Sequence, residues 1–99
     1  MTLGIREIMA DVHHETVFFS GRVQGVGFRY TALQVAREYD VSGSVKNLSD
    51  GRVQLEVEGR ADIVNAYIEA LEQRMHGYVR KTERTSERRA SQFSGFTIK

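Results

Sequence analysis

The 99-residue chain contains no cysteine. Disulfides, thiolate metal sites and cysteine-nucleophile phosphatase chemistry are excluded together. No apolar run approaches the roughly 20 residues that a membrane span requires. The first fourteen residues carry Arg6, Glu7 and Asp11 among their apolar positions, so they lack the unbroken apolar stretch of a signal peptide. Neither sign of charge dominates. Fourteen basic against thirteen acidic residues give +1, which by itself does not point to nucleic acid. Internal repeats, low-complexity tracts and Pro/Gly/Ser linkers are also missing. What remains is ordinary globular composition, 40% hydrophobic and 27% charged, in a length that holds one domain. A soluble cytoplasmic protein is expected. With no apolar patch evident in the sequence, a monomer is expected too.

Residues 1–14 read as an extension ahead of a domain over 15–99. Ile5, Ile8, Met9 and Val12 fall at helical spacing, which allows either a short helix or a frayed end. Thr16-Val17-Phe18-Phe19 is β-branched and aromatic and opens a strand over 16–23. From Phe28 the period changes. Phe28, Ala32, Val35, Ala36 and Tyr39 share a helical face, which predicts a helix over 28–39. Val41 to Leu48 is a second strand. Val53, Leu55 and Val57 alternate with Gln54, Glu56 and Glu58, which predicts a third strand with one wet face. Asp50-Gly51 between them is a hairpin signal, because glycine accepts the positive φ of the turn. Val64, Ile68, Leu71 and Met75 predict a second helix over 62–75. Tyr78 to Arg88 reads as a polar strand and Phe93 to Ile98 as a short last one.

The order βαββαβ, plus a short terminal strand, predicts a ferredoxin-like α+β sandwich. Its two right-handed crossovers give one antiparallel sheet, core order 4-1-3-2, with both helices on one face. Strands one and two then run parallel, so their C-terminal ends meet at one end of the sheet.

That end carries the most informative segment, Gly21-Arg22-Val23-Gln24-Gly25-Val26-Gly27-Phe28-Arg29. It joins a strand end to a helix N-terminus, where unpaired amides and the helix dipole favour an anion. Glycines let successive amides turn inward as an anion nest. No Lys-Ser/Thr follows, so this is not a Walker loop, and the glycine spacing is not that of a dinucleotide fingerprint. Arg29 in the first helical turn opposes the helix dipole at a cost of about 0.3–1 kcal/mol. The placement makes sense if Arg29 grips an anion there. It is equally compatible with a solvated arginine beside a tight turn. Asn47, at the C-terminal end of strand two, can donate and accept and so could hold a water. It could also serve only the turn that follows it.

Together these segments resemble the acylphosphatases. The resemblance rests on the glycine loop through Arg29, on Gly43-Ser44-Val45-Lys46-Asn47-Leu48-Ser49-Asp50-Gly51-Arg52-Val53, and on the final Phe93-Ser94-Gly95-Phe96-Thr97-Ile98. It covers about 15–99. It implies hydrolysis of carboxyl-phosphate anhydrides to a carboxylate and phosphate. It implies that Arg29 and the loop amides of Gln24, Gly25, Val26, Gly27 and Phe28 bind the phosphoryl group, and that Asn47 positions the attacking water. It implies the same sandwich fold, a small-molecule acyl phosphate as partner, and no metal or organic cofactor. Ser44, Ser49, His76-Gly77 and the polar fourth strand depart from the family's usual pattern. They touch packing and leave Arg29, Asn47 and the loop glycines intact.

Two non-catalytic readings compete. Small sandwich domains of this kind can bind RNA on the open sheet face, and residues 80–89 hold Arg80, Lys81, Arg84, Arg88 and Arg89. However, Gln54, Glu56 and Glu58 face outward where RNA-stacking aromatics would be needed. Charge on an edge strand also serves to block sheet-to-sheet aggregation. An anion-binding module would share the glycine loop but would not need Asn47. His13-His14 reads as a solvated pair without further metal ligands, and Asp50 as turn chemistry.

Overall fold

The computed structural model describes residues 11–99. Its first strand, β1, spans Asp11–Gly21. Val17 and Phe19 point to one side and are fully buried. The chain then forms α1 (Phe28–Ala36), β2 (Val41–Asn47), β3 (Val53–Gly59), α2 (Ala61–Arg74), β4 (Val79–Ala90) and β5 (Phe96–Ile98). The sheet order is β4-β1-β3-β2-β5. The four-strand core therefore has the expected 4-1-3-2 order, and its pairings are antiparallel. β5 adds itself in parallel beside β2, so the whole sheet is mixed.

Period decides the core. Phe28, Ala32, Val35 and Ala36 of α1 and Val64, Tyr67, Ile68 and Leu71 of α2 are buried with Val45, Val53, Leu55 and Val57 of the strands. Tyr67 is polar at its tip, yet fully buried. Its hydroxyl donates to the Ala32 carbonyl oxygen at 2.8 Å, which ties the helices together. Burial pushes that phenol well above its ordinary pKa. Phe19 and Phe28 meet at 4.9 Å between ring centroids, fixing the start of α1 over β1.

Several boundaries differ from the sequence reading. β1 already includes Asp11, which pairs with Ala90 of the long strand β4. Val12, His13 and His14 therefore lie in the sheet. The rest of the helix-spaced stretch, Ile5 to Met9, lies outside the described residues. The histidine pair is not solvated, since His14 is only 2% exposed. α1 stops at Ala36, where the Arg37 amide turns back to the Gln34 carbonyl oxygen and a tighter turn follows. Phe93 leaves the last strand and stacks on His14. Glu58, expected on a wet face, is buried beneath the 91–93 segment.

The polar strand β4 does lie at the sheet edge. Its Arg84 is directed inward to Glu15, with Nε–Oε1 at 2.7 Å and Nη2–Oε2 at 2.8 Å. Burial pushes the Glu15 carboxyl up. Hydrogen bonds from Arg84 and His13 outweigh it and hold the group below its ordinary value. Arg84 also donates to Asn65 Oδ1 of α2 at 3.0 Å, so it joins edge strand, sheet and helix.

Candidate active site

The glycine loop begins where β1 kinks. The β1–β4 register shifts between Ser20 and Gly21, and the Arg22 amide then donates to the Tyr78 carbonyl oxygen at 2.9 Å. Val23 is fully buried and anchors the loop in the core. Gly25 and Gly27 follow at φ +78° and +79°, while no non-glycine residue described has positive φ. Left-handed residues at alternate positions turn the intervening amides to one side, which is the backbone form of an anion nest. A Cβ at either glycine would meet nothing within 4 Å, so the backbone conformation, and not lack of room, demands glycine.

Gly27 is also the N-cap of α1. No side chain caps this helix, and its first turn holds no acidic residue. The helix-start amides thus keep their donor capacity for an external acceptor. α2 differs in carrying Asp62 in its first turn.

Three further elements close the site. Gln24 swings its side-chain amide to the β2–β3 hairpin and donates to the Leu48 and Arg52 carbonyl oxygens at 2.8 and 2.9 Å. This staple holds the loop beside the end of β2. The hairpin is itself fastened, with the Leu48 amide donating to the Arg52 carbonyl oxygen at 2.8 Å. Asp50 accepts from the Arg52 amide at 3.1 Å and from its Nε at 2.8 Å. These contacts, the amide first, hold the Asp50 carboxyl below its ordinary range. The Arg52 guanidinium lies 4.6 Å from the centroid of the Phe18 ring. Finally, parallel pairing of β5 with β2 carries Ile98 and Lys99 to the same end of the sheet. There Arg29 Nη1 donates to the Lys99 carbonyl oxygen at 3.2 Å.

The outcome is a cleft of about 190 Å³ lined by Val23, Gly25, Gly27, Phe28, Arg29, Tyr30, Asn47 and Ile98. Arg29 and Asn47, eighteen positions apart in sequence, share it with both left-handed glycines. Of the other residues singled out from the sequence, Phe28 supplies backbone at the helix start while its ring is core. Val26 packs partly against the core, and the Gln24 side chain serves the hairpin. Tyr30, Ile98 and Lys99 were not anticipated. Tyr30 had a signal, as a large side chain adjoining Arg29 off the apolar face of α1. The two C-terminal residues had none, because only the β2–β5 pairing brings them here.

The chemistry of such a cleft is phosphoryl binding. Inward amides, an uncapped helix start and a guanidinium fork match a tetrahedral oxyanion. A larger cavity, about 630 Å³ near Asp11, Asp40, Glu58 and Arg88, lies beside the other end of β2, away from Asn47.

Comparison with known proteins agrees with this description. The acylphosphatase family model matches residues 15–98. An acylphosphatase of Methanospirillum hungatei is 33% identical over 85 residues, 85% of this chain and 93% of that protein. One from Listeria welshimeri is 52% identical over 52 residues, 52% of this chain and 56% of its own length. Among solved structures, the Bacillus subtilis acylphosphatase superposes with a TM-score of 0.78 at 31% identity, covering 87% of this chain and 97% of that one.

Proposed function

Because the chain belongs to the acylphosphatase family and is an acyl phosphate hydrolase, we propose that Arg29 and the amides of Gln24 to Arg29 hold the phosphoryl group while Asn47 orients the attacking water. The observation that carries this reading is the single cleft shared by Arg29, Asn47, Gly25 and Gly27.

Phosphoryl transfer asks a protein mainly for positioning and charge stabilisation. The guanidinium offers two parallel donors to phosphoryl oxygens, and the nest amides reach the others. Charge that grows on those oxygens in the transition state meets donors already in place. A carboxylate is a weakly basic leaving group and departs without a general acid. The water oxygen forms its bond to phosphorus as the P–O bond to the acyl group breaks. The bonding pair leaves with the carboxylate, and inorganic phosphate is the second product. Asn47 is no base at neutral pH, so the proton lost by the water passes to a substrate oxygen. Asn47 contributes orientation, with its amide accepting from or donating to that water.

The same reading has the enzyme acting as a cytoplasmic monomer on small-molecule acyl phosphates, without nucleic acid, membrane or cofactor. Among the described residues, no helix is long and apolar enough to cross a membrane. The test is phosphate release from benzoyl phosphate by the purified protein, by Arg29→Ala and by Asn47→Ala, each with and without a chelator. Wild-type turnover that survives chelation and collapses in both folded variants is expected. Activity lost to the chelator and restored by one divalent metal would overturn the mechanism.

A further inference from the structure

Two parts of the site come from separate segments and must keep a fixed separation. The phosphoryl cradle belongs to the 24–29 loop and the start of α1, whereas Asn47 ends β2. Phosphorus rests against the first and the attacking water against the second. The gap between them is the path along which the new P–O bond forms. Orientation of this kind is lost steeply when the partners drift apart by about 1 Å.

One side chain spans that gap. Gln24 directly follows fully buried Val23 and directly precedes Gly25, the first left-handed residue of the nest. Its Nε2 donates to the Leu48 carbonyl oxygen at 2.8 Å and to the Arg52 carbonyl oxygen at 2.9 Å. Among the described residues, these two bonds are the only hydrogen bonds that join the loop to the hairpin. Both land beside Asn47. Leu48 is its neighbour in the chain, and Arg52 adjoins Val53, which pairs with Asn47 across the β2–β3 ladder. The two acceptors are also held relative to each other, because the Leu48 amide donates to the Arg52 carbonyl oxygen at 2.8 Å. A planar amide whose two hydrogens are committed to two fixed oxygens cannot rotate without breaking a bond.

We propose that Gln24 is a positioning residue whose side chain fixes Asn47 relative to the phosphoryl cradle and so sets the line of water attack. The inference rests on the roles proposed above for Arg29 and Asn47. The cradle takes only the backbone amide of Gln24, which a side-chain substitution leaves in place. Loss of the side chain therefore spares phosphate binding and costs turnover. It costs turnover only while Asn47 is there to be positioned.

The experiment measures kcat and KM for benzoyl phosphate, and inhibition by inorganic phosphate, in a double-mutant cycle. The proteins are the wild type, Gln24→Ala, Asn47→Ala and the double variant, with Gln24→Met beside them. Methionine keeps the length of the side chain without its donors, and it replaces alanine throughout the cycle if thermal unfolding shows that Gln24→Ala is not folded. In Gln24→Ala and Gln24→Met, kcat is expected to fall about 10-fold while phosphate inhibition stays within about twofold of wild type. The double variant is expected to be no slower than Asn47→Ala alone, because the residue to be positioned is gone. A double variant slower by the full Gln24 factor overturns the proposal, since a merely structural staple would act whether or not Asn47 is present. Wild-type kcat in the Gln24 variants overturns it too, as does phosphate inhibition weakened by the same factor as kcat. If Asn47→Ala itself turns over at the wild-type rate, the water-positioning reading fails and takes the role of Gln24 with it. An impaired Asn47→Ala with an additive double variant removes the role of Gln24 alone.

Discussion

This protein builds two anion cradles at different places on one sheet, and among the described residues only one is filled by an acidic side chain. On the face away from the helices, Glu58 Oε1 accepts from Ser91 Oγ at 2.7 Å, from the Gln92 amide at 2.8 Å and from the Phe93 amide at 2.9 Å. Its other oxygen faces Nδ1 of buried His14 at 3.5 Å, beyond hydrogen-bond alignment. At the glycine loop the same chemistry of turned backbone amides recurs, but among the described residues no Asp or Glu side chain lines it, and a guanidinium is added that donates to the Lys99 main-chain oxygen. The first arrangement makes structure. It brings the 91–93 segment down onto the sheet and satisfies one oxygen of a carboxylate that burial would otherwise make costly. The second leaves donor capacity for an oxyanion from outside. An anion cradle is left open to a ligand when the sequence places no acidic side chain in it.

Substitutions can separate the two cradles. The largest effect is expected from Arg29→Ala, a loss of about 10³-fold in kcat/KM, since charge is removed from both bound phosphate and transition state. Arg29→Lys should recover little, because a point charge cannot reproduce the fork. Wild-type rates from Arg29→Lys would argue against bidentate recognition. Next comes Asn47→Ala, with kcat down about 10²-fold from the lost orientation of water. Inhibition by inorganic phosphate should change little, which steady-state kinetics can read directly. Equal loss of phosphate affinity would show that Asn47 belongs to the cradle itself.

At the filled cradle the currency is stability. Glu58→Ala should lower unfolding free energy by about 1–3 kcal/mol while leaving kcat/KM near wild type. Urea titration followed by circular dichroism measures the first, and an undiminished midpoint would mean that the 91–93 segment does not depend on the carboxylate. The smallest and most graded effect is on acid stability. Burial pushes the Glu58 carboxyl up, but hydrogen bonds from Ser91, Phe93 and Gln92, with the His14 ring nearby, outweigh it and place it below the ordinary value of 4.5. Glu15 behaves alike through Arg84 and His13. In both cases the folded state holds its proton less tightly than the unfolded state. Their stabilisation is therefore complete above about pH 5 and fades as pH falls through 4.5 and below. Urea midpoints that stay constant from pH 7 to pH 3 would contradict this sign. The fade should be reduced in Glu58→Ala, which has lost one of the two groups.

Periodicity and turn chemistry are local, and they sufficed for much of the molecule. The shift from alternation to helical spacing at Phe28, the Asp50-Gly51 hairpin and the βαββαβ order were legible because each depends on neighbours a few residues apart. The glycine loop was legible for the same reason, since left-handed φ at Gly25 and Gly27 is written in residue type. From that order alone, the parallel run of β1 and β2 already implied that Arg29 and Asn47 would meet. Other features depend on what arrives from far along the chain. Alternation marks Glu58 as facing away from the helices but cannot say that Ser91 to Phe93 will cover that face. Glu15 and Arg84 look solvated until β4 pairs with β1 and brings them within 2.7 Å. Tyr67 completes the i, i+3, i+4, i+7 face of α2 with Val64, Ile68 and Leu71, but the partner of its hydroxyl, a carbonyl oxygen of α1, comes from far along the chain. A three-residue strand such as β5 is too short to carry a period, so only its parallel seat beside β2 decided that Ile98 lines the cleft and that Lys99 meets Arg29. Residue type determined which backbone could cradle an anion. Pairing between distant strands decided which side chains surround it.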